Sequence, residues 1–129
     1  MKNKAITIER VILQNISNPN FGVSMLAEIV NTSPSYLREV VYHFFSMSPQ
    51  KLIESIKLQR ALFMISDGAS LHIIKKKLGF TNSRTLRRIF NKRLNASPKI
   101  YRDLLNNANV QKGTFLKNSL FKIWEIEDR

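Results

Sequence analysis

The chain has 129 residues, 43% of them hydrophobic, and carries 21 Lys+Arg against 9 Asp+Glu for a formal charge of +12. That size fits one domain, or two small subdomains sharing a helix, and the apolar fraction is enough for a packed core and too high for a disordered chain. With no Cys, no apolar run near the ~20 residues that span a bilayer and no apolar leader in MKNKAITIER, the sequence leaves out disulfides, zinc–thiolate sites, cysteine nucleophiles, a membrane-spanning helix and a signal peptide, so a soluble cytosolic protein is expected.

The charge is unevenly spread. Residues 1–74 hold 7 basic and 5 acidic side chains, residues 103–129 hold 4 of each, and residues 75–102 hold 10 basic and none acidic. Such a cluster implies a polyanionic partner, held by long-range attraction and counterion release. Charge alone does not separate DNA, RNA and an anionic membrane.

In chain order, Ile8, Val11, Ile12 and Ile16 fall at helical spacing and predict a first helix from about Thr7, a candidate N-cap, to the Asn18-Pro19-Asn20 and Gly22 breakers. Val23–Val30 reads as a short helix with Ser24 as its candidate cap. Asn31-Thr32-Ser33-Pro34 is a turn, with Ser33 as N-cap and Pro34 at the first helical position. A helix from Ser35 to about Phe45 follows, burying Leu37, Val40, Val41 and Phe44 and presenting Ser35, Tyr36, Arg38 and Glu39 outward. Two short helices, a tight turn and an outward polar face make a helix-turn-helix pattern.

Ser48-Pro49 restarts the chain. Pro49–Ser66 reads as a long helix, apolar through Leu52, Ile53, Ile56, Ala61, Leu62 and Ile65, and Asp67-Gly68 ends it. Ser70 then caps Leu71–Leu78, and Gly79 supplies the positive φ of a sharp turn. In the next helix, Ser83–Leu94, the apolar residues Leu86, Ile89, Phe90 and Leu94 share one face; Arg84, Arg88 and Asn91 point the other way, with Thr85 and Arg87 on the flanks. For an isolated helix a solvated basic face is the simpler reading. The helix-and-turn before it, and the recurrence of the whole arrangement, favour a helix that enters a nucleic-acid groove. Ser97-Pro98 opens a last core helix to Leu105, followed by the loop Asn106–Asn109.

The arrangement is an internal repeat. Leu26 matches Ile74 and Val30 matches Leu78 at an offset of 48; Leu37 matches Leu86, Val41 matches Phe90 and Ser48-Pro49 matches Ser97-Pro98 at an offset of 49. The second copy therefore carries one extra residue in its turn. Two such units joined by a stiff helix suit successive major grooves, which recur about every 34 Å along one face of a duplex.

At these residues the sequence resembles the AraC/XylS family of bacterial transcription regulators. The second unit carries the likeness through Gly79-Phe80, the aromatic Phe90, Ser97-Pro98 and Tyr101-Arg102. The first carries it through Leu26-Ala27, Ser33-Pro34-Ser35-Tyr36-Leu37, Ser48-Pro49 and Arg60-Ala61. It covers about residues 7–105, and the run Arg84–Phe90 is most similar to the small stand-alone members typified by MarA, SoxS and Rob. Departures from the pattern are Lys75 in place of a small alanine, Val41 in place of a phenylalanine, and Ser46 and Asn95 in place of the glycines that follow the recognition helices. Asn95 tolerates a left-handed backbone; Ser46 does so less readily.

The resemblance implies an all-α fold of two helix-turn-helix subdomains joined by a long central helix. The divisions are 1–48, 49–67 and 68–106, with a tail, 107–129, packed on the core. It implies double-stranded DNA as partner and a DNA-binding set of Ser35, Tyr36, Arg38, Glu39, Ser83, Arg84, Thr85, Arg87, Arg88 and Asn91. Glu39 has two readings, accepting from cytosine N4 or orienting Arg38, and Tyr36 has a competing role in packing. It further implies a monomeric activator of the bacterial cytoplasm that recruits RNA polymerase. Regulation would come from abundance rather than a small-molecule effector, since 129 residues leave no room for a sensor domain; a native start at Met1 favours a complete protein, and a fragment of a longer regulator is the open alternative. Lys75-Lys76-Lys77 reads equally as a backbone-facing or a solvated run.

No cofactor is expected. His43 and His72 are isolated, so a metal site is not expected, and neither a Gly-rich phosphate loop, a nucleophile elbow nor a carboxylate pair points to an enzyme. DNA-repair methyl acceptors with helices of this type need a cysteine, which the chain lacks. The rival readings are the DNA-binding part of a recombinase or transposase, and an interaction module that does not read DNA. The tail, with Phe115, Leu116, Leu120, Phe121, Ile123, Trp124 and Ile126, is too apolar to be free; folding back on the core is its first reading and binding a partner its second.

Overall fold

Serine hydroxyls start four of the helices. Ser33, Ser48, Ser70 and Ser97 each accept a hydrogen bond from the backbone N–H three residues on, and Pro34, Pro49 and Pro98 follow three of them with φ already set for the first turn. The computed structural model describes residues 2–107 and 111–125, and every regular element there is an α-helix. The elements are α1 (Lys2–Asn15), α2 (Val23–Ile29), α3 (Pro34–Phe45), α4 (Pro49–Ser66), α5 (Leu71–Lys77), α6 (Ser83–Leu94), α7 (Pro98–Asn106) and α8 (Lys112–Ile123).

The boundaries follow the sequence signals with two corrections. α1 begins at Lys2, well before Thr7, and Lys4 on this extra turn donates to the Tyr36 hydroxyl at 2.7 Å. α2 takes Gly22, not Ser24, as its N-cap residue, because extended backbone there (φ −160°) lets the Gly22 carbonyl accept from Leu26 N–H without a side-chain cap. On α3 the buried stripe is Leu37, Val40 and Val41, with Phe44 half-buried in the last turn.

Two apolar clusters fill the interior, and α4 serves both. Ile8, Ile12, Leu26, Leu37 and Val41 pack with Leu52, Ile53 and Ile56 from the first half of α4. Ile74, Leu86, Phe90, Tyr101 and Ile123 pack with Leu58, Ala61, Leu62 and Ile65 from its second half. A helix that presents apolar side chains in both directions is buried on both sides, and each large one removed from water contributes about 1.5–3 kcal/mol.

The repeat is visible in the turns. α2 closes with Thr32 N–H to the Ala27 carbonyl and Asn31 N–H to Glu28; α5 closes with Phe80 N–H to Lys75 and Gly79 N–H to Lys76. These are the paired bonds of a helix end with a left-handed residue, Asn31 at φ 56° and Gly79 at φ 71°. The two closures match at an offset of 48, whereas the caps of the next helices, Ser33 and Asn82, match at 49, so the extra residue of the second unit falls between Phe80 and Asn82. After both α3 and α6 the chain turns left-handed at positions equivalent to each other, Ser46 (φ 58°) and Asn95 (φ 55°). Serine adopts this conformation at some cost, asparagine more easily.

Within the described residues of the tail, α8 docks on the core. Phe115 lies 4.8 Å, centroid to centroid, from Tyr101, Ile123 is fully buried, and Trp124 packs against both clusters while its indole N–H donates to Gln59 Oε1 at 3.1 Å. Lys51 pairs with Glu125 and holds that carboxyl below the usual carboxylate range. Asn106 of the expected loop is the last residue of α7; Ala108 and Asn109 of that loop, and Val110 and Ile126 of the expected tail, lie outside the described residues.

Tyr101 gives this docking a pH signature. The side chain is 1% exposed and its hydroxyl bonds Ser119 Oγ at 3.1 Å; burial raises its pKa above 10.0, partly offset by the Ser119 bond. A raised folded-state pKa means stability is intact below the unfolded value of about 10 and is lost as pH climbs through the folded value. Thermal melts from pH 8 to 11 are therefore expected to fall more steeply for the parent than for Tyr101→Phe, which has no phenol to ionise.

Candidate nucleic-acid interface

α6 is amphipathic by construction. Leu86, Ile89, Phe90 and Leu94 are buried against the second cluster, the four positions that sequence spacing selects. Arg84, Arg87, Arg88 and Asn91 are exposed on the remaining surface, and Ser83 and Thr85 are half-exposed beside the N-terminus. Asn82 caps the helix through Oδ1, which accepts from Thr85 N–H at 2.9 Å and from the Thr85 hydroxyl at 3.1 Å. Thr85 thus has its hydroxyl proton committed and keeps its lone pairs and methyl for an incoming partner. Asn91 donates its side-chain amide to the Arg87 carbonyl at 3.1 Å.

α3 presents Ser35, Tyr36, Arg38 and Glu39, all exposed. Arg38 Nη2 donates to Ser35 Oγ at 3.2 Å, so in the free protein Arg38 turns to Ser35 rather than to Glu39. Tyr36 is tied to α1: the Lys4 ammonium bonds its hydroxyl and lies 4.3 Å from its ring centroid. The two residues share a cleft with Thr7, Asn31 and Val40, which places Tyr36 at the edge of the α3 surface, in contact with α1.

The basic cluster divides by role. Of its ten side chains, Arg93 and Arg102 turn inward. Arg102 donates to the Ala69 carbonyl and fastens α7 to the α4–α5 turn. Arg93, on the side of α6 away from Arg88, is 7% exposed; its Nη2 donates to Ser55 Oγ at 2.8 Å and to the Ile123 carbonyl at 2.5 Å, and its Nη1 lies 3.6 Å from Glu54. A guanidinium at the C-terminus of α8 satisfies an end carbonyl and meets the negative end of the helix dipole. Lys75 is half-buried on α5, while Lys76, Lys77, Lys92 and Lys99 are exposed.

Sequence reasoning passed over two residues. Arg93 counts as one more basic residue until α4 and α8 are seen folded onto it, and no local signal announces that. Lys57 lies on α4, outside the basic cluster, half-buried with its ammonium 4.7 Å from the Phe80 ring centroid. Burial lowers its pKa from 10.5 and Glu54 pulls it back up. Its spacing of three from Glu54 was legible; the cleft was not.

The sequence matches the family described as a helix-turn-helix domain over residues 26–103, which is more than half of the chain and takes in α2 through most of α7. Among curated proteins none matches. Among solved structures, the C-terminal domain of the two-component response regulator yesN from Fusobacterium nucleatum superposes with a TM-score of 0.71 at 22% identity, over 78% of this chain and 98% of that one. The C-terminal domain of AraT, a response regulator from Geobacillus stearothermophilus, superposes with a TM-score of 0.72 at 21% identity, over 81% of this chain and 88% of that one. Both share the fold. Together with the family match, the paired units identify the chain as a member of the AraC-type helix-turn-helix family, whose function is DNA binding in transcription regulation.

Proposed function

We propose that the protein reads an asymmetric duplex site as a monomer, α3 and α6 each entering a major groove, and that it activates transcription by recruiting RNA polymerase. The observation that carries the reading is the pair of matched helices: each is capped by a side chain that accepts from the backbone N–H three residues on, anchored by an apolar face and exposed on the other side. Ser35, Arg38 and Glu39 read in the first unit and Ser83, Arg84, Thr85, Arg87, Arg88 and Asn91 in the second. Tyr36 supports the first helix from its edge. Arginine on such a surface suits bidentate contact with guanine O6 and N7.

α6 has three exposed arginines where α3 has one balanced by Glu39, so the second unit supplies most of the affinity and the first adjusts register. Selection of bound sequences from a random duplex pool at about 0.15 M salt is expected to enrich one motif with two blocks about a helical turn apart. On that motif Arg88→Ala is expected to weaken binding by about 1–3 kcal/mol, roughly 5- to 150-fold, and to relax the preference at one base pair. Intact binding by Arg88→Ala with loss in Arg38→Ala would reverse the assignment of the units. Weak binding without base preference and with a steep salt slope would make the chain a general polyanion binder.

Control by abundance rather than by a ligand belongs to the same proposal. Its test is titration of candidate effectors: saturable binding that shifts DNA affinity would refute it.

A further inference from the structure

A cleft of about 210 Å³ lies where α4, the α1–α2 connection and the N-terminal half of α6 meet, and Gln50, Glu54, Lys57, Thr85 and Arg88 bring its polar groups. We propose that this cleft is a phosphate site, taking one backbone phosphate of the duplex between the two read blocks. The inference deepens the DNA-binding reading above and rests on it.

Three observations support it. First, the cleft opens on the DNA-facing side, because Thr85 and Arg88 belong to the outward surface of α6, and α4, which forms its other wall, is the element between the two units. Second, its charge is positive. Glu54 is the only acidic side chain in the lining, and it is countered by Arg93 Nη1 at 3.6 Å, leaving Lys57 and Arg88 in excess. Third, Lys57 is half-buried with its ammonium 4.7 Å from the Phe80 ring centroid, so part of its hydration is already lost. An ammonium has three N–H donors and no acceptor, and an incoming oxyanion would accept from them in place of water. The Gln50 amide adds donors to the same space, while Arg88, on its rim, stays with the base contact assigned above.

A phosphate there differs from a base contact in what it controls. It fixes the register of the duplex against α4 and carries no sequence information. Removing it should weaken matched and mismatched sites alike and release one counterion fewer.

The experiment uses the full chain and the duplex enriched in the selection described above. Lys57→Met, which keeps the packing on Phe80, is expected to bind about five- to tenfold more weakly at every sequence, with the slope of log K against log salt shallower by about 0.9. Lys57→Arg is expected to keep the parental slope. Neutral methylphosphonates are then placed one at a time between the blocks. At one position the substitution should weaken the parent by about the same factor and leave Lys57→Met unaffected, so that the two losses do not add. A parental slope in Lys57→Met, or additive losses at every inter-block phosphate, would overturn the site while leaving the regulator reading in place. If the parent enriched no motif at all, the regulator reading itself would fail. Melting curves of the two variants at or near the parent's establish that the comparison is made on folded protein.

Discussion

Replacing Arg93 by alanine is expected to cost about 3 kcal/mol of folding stability, because a buried, hydrogen-bonded charge is removed from three partners at once. Ser55 Oγ and the Ile123 carbonyl lose their donor and Glu54 loses its counter-charge in a region where the arginine is only 7% exposed. For a chain of this size that is a fall of roughly 10 °C in melting temperature, measurable by circular dichroism. Arg93→Lys should recover part of it, since an ammonium reaches one of these partners but not all three. The same variant separates two meanings of a positive residue. Arg93 lies on α6 within the basic cluster, but its charge points into the protein. Below the melting range, Arg93→Ala combined with Glu54→Gln, which leaves no uncountered carboxylate beside Lys57, should therefore keep the parental salt slope for DNA binding, in contrast to the slope expected of Lys57→Met. A slope reduced by a full counterion would mean that Arg93 swings out to the duplex.

Gly79→Ala is the second large effect, expected to exceed about 3 kcal/mol. Its backbone sits at φ 71°, where an L side chain costs about 1–2 kcal/mol. In addition, a Cβ there would lie 2.6 Å from the Ile16 carbonyl oxygen and 3.0 Å from that of Asn18, both backbone atoms of the α1–α2 connection. The α5–α6 turn and that connection would have to separate, so the damage joins the two units rather than staying in one. Gly68 is the matched control: it has φ 88°, but a Cβ added to it meets nothing within 4 Å. Gly68→Ala should cost about 1 kcal/mol by urea unfolding, and the difference between the variants measures the contact alone. Equal losses would assign the whole effect of Gly79 to φ.

Much of this structure is written in short-range signals. Ser33, Ser48, Ser70 and Ser97 each precede a helix and each proves to be its cap, and Leu86, Ile89, Phe90 and Leu94 are spaced for one face and buried by it. Such signals give the individual helices and the repeat, and the resemblance to a known family joined them into an all-α fold of two subdomains. The errors arise where local and tertiary preferences diverge. Thr7 looks like a cap, yet α1 runs back to Lys2, where Lys4 contacts Tyr36 on another helix; Ser24 looks like a cap, yet extended backbone at Gly22 starts α2 earlier. The outward residues of the interface were legible because amphipathicity sorts a helix surface into two sides. What was not legible is direction within the basic cluster. Arg88 and Arg93 are five residues apart on one helix and chemically identical, and only the distant α4 and α8 decide that one is exposed and the other enclosed.

The connecting helix has a consequence for how the chain can change over generations. α4 has 18 residues, a rod of about 27 Å that both clusters grip directly. Loops such as the α1–α2 connection absorb an inserted residue by bulging. A rod does not: each residue added to α4 advances one unit by about 1.5 Å and rotates it by about 100° about the helix axis. One insertion would turn α6 by about 100° relative to α3, and four would restore the facing only to within about 40° while lengthening the rod by about 6 Å. Length variation among descendants of this sequence should therefore collect in the loops and spare α4, so that the relative placement of α3 and α6 would be inherited with it.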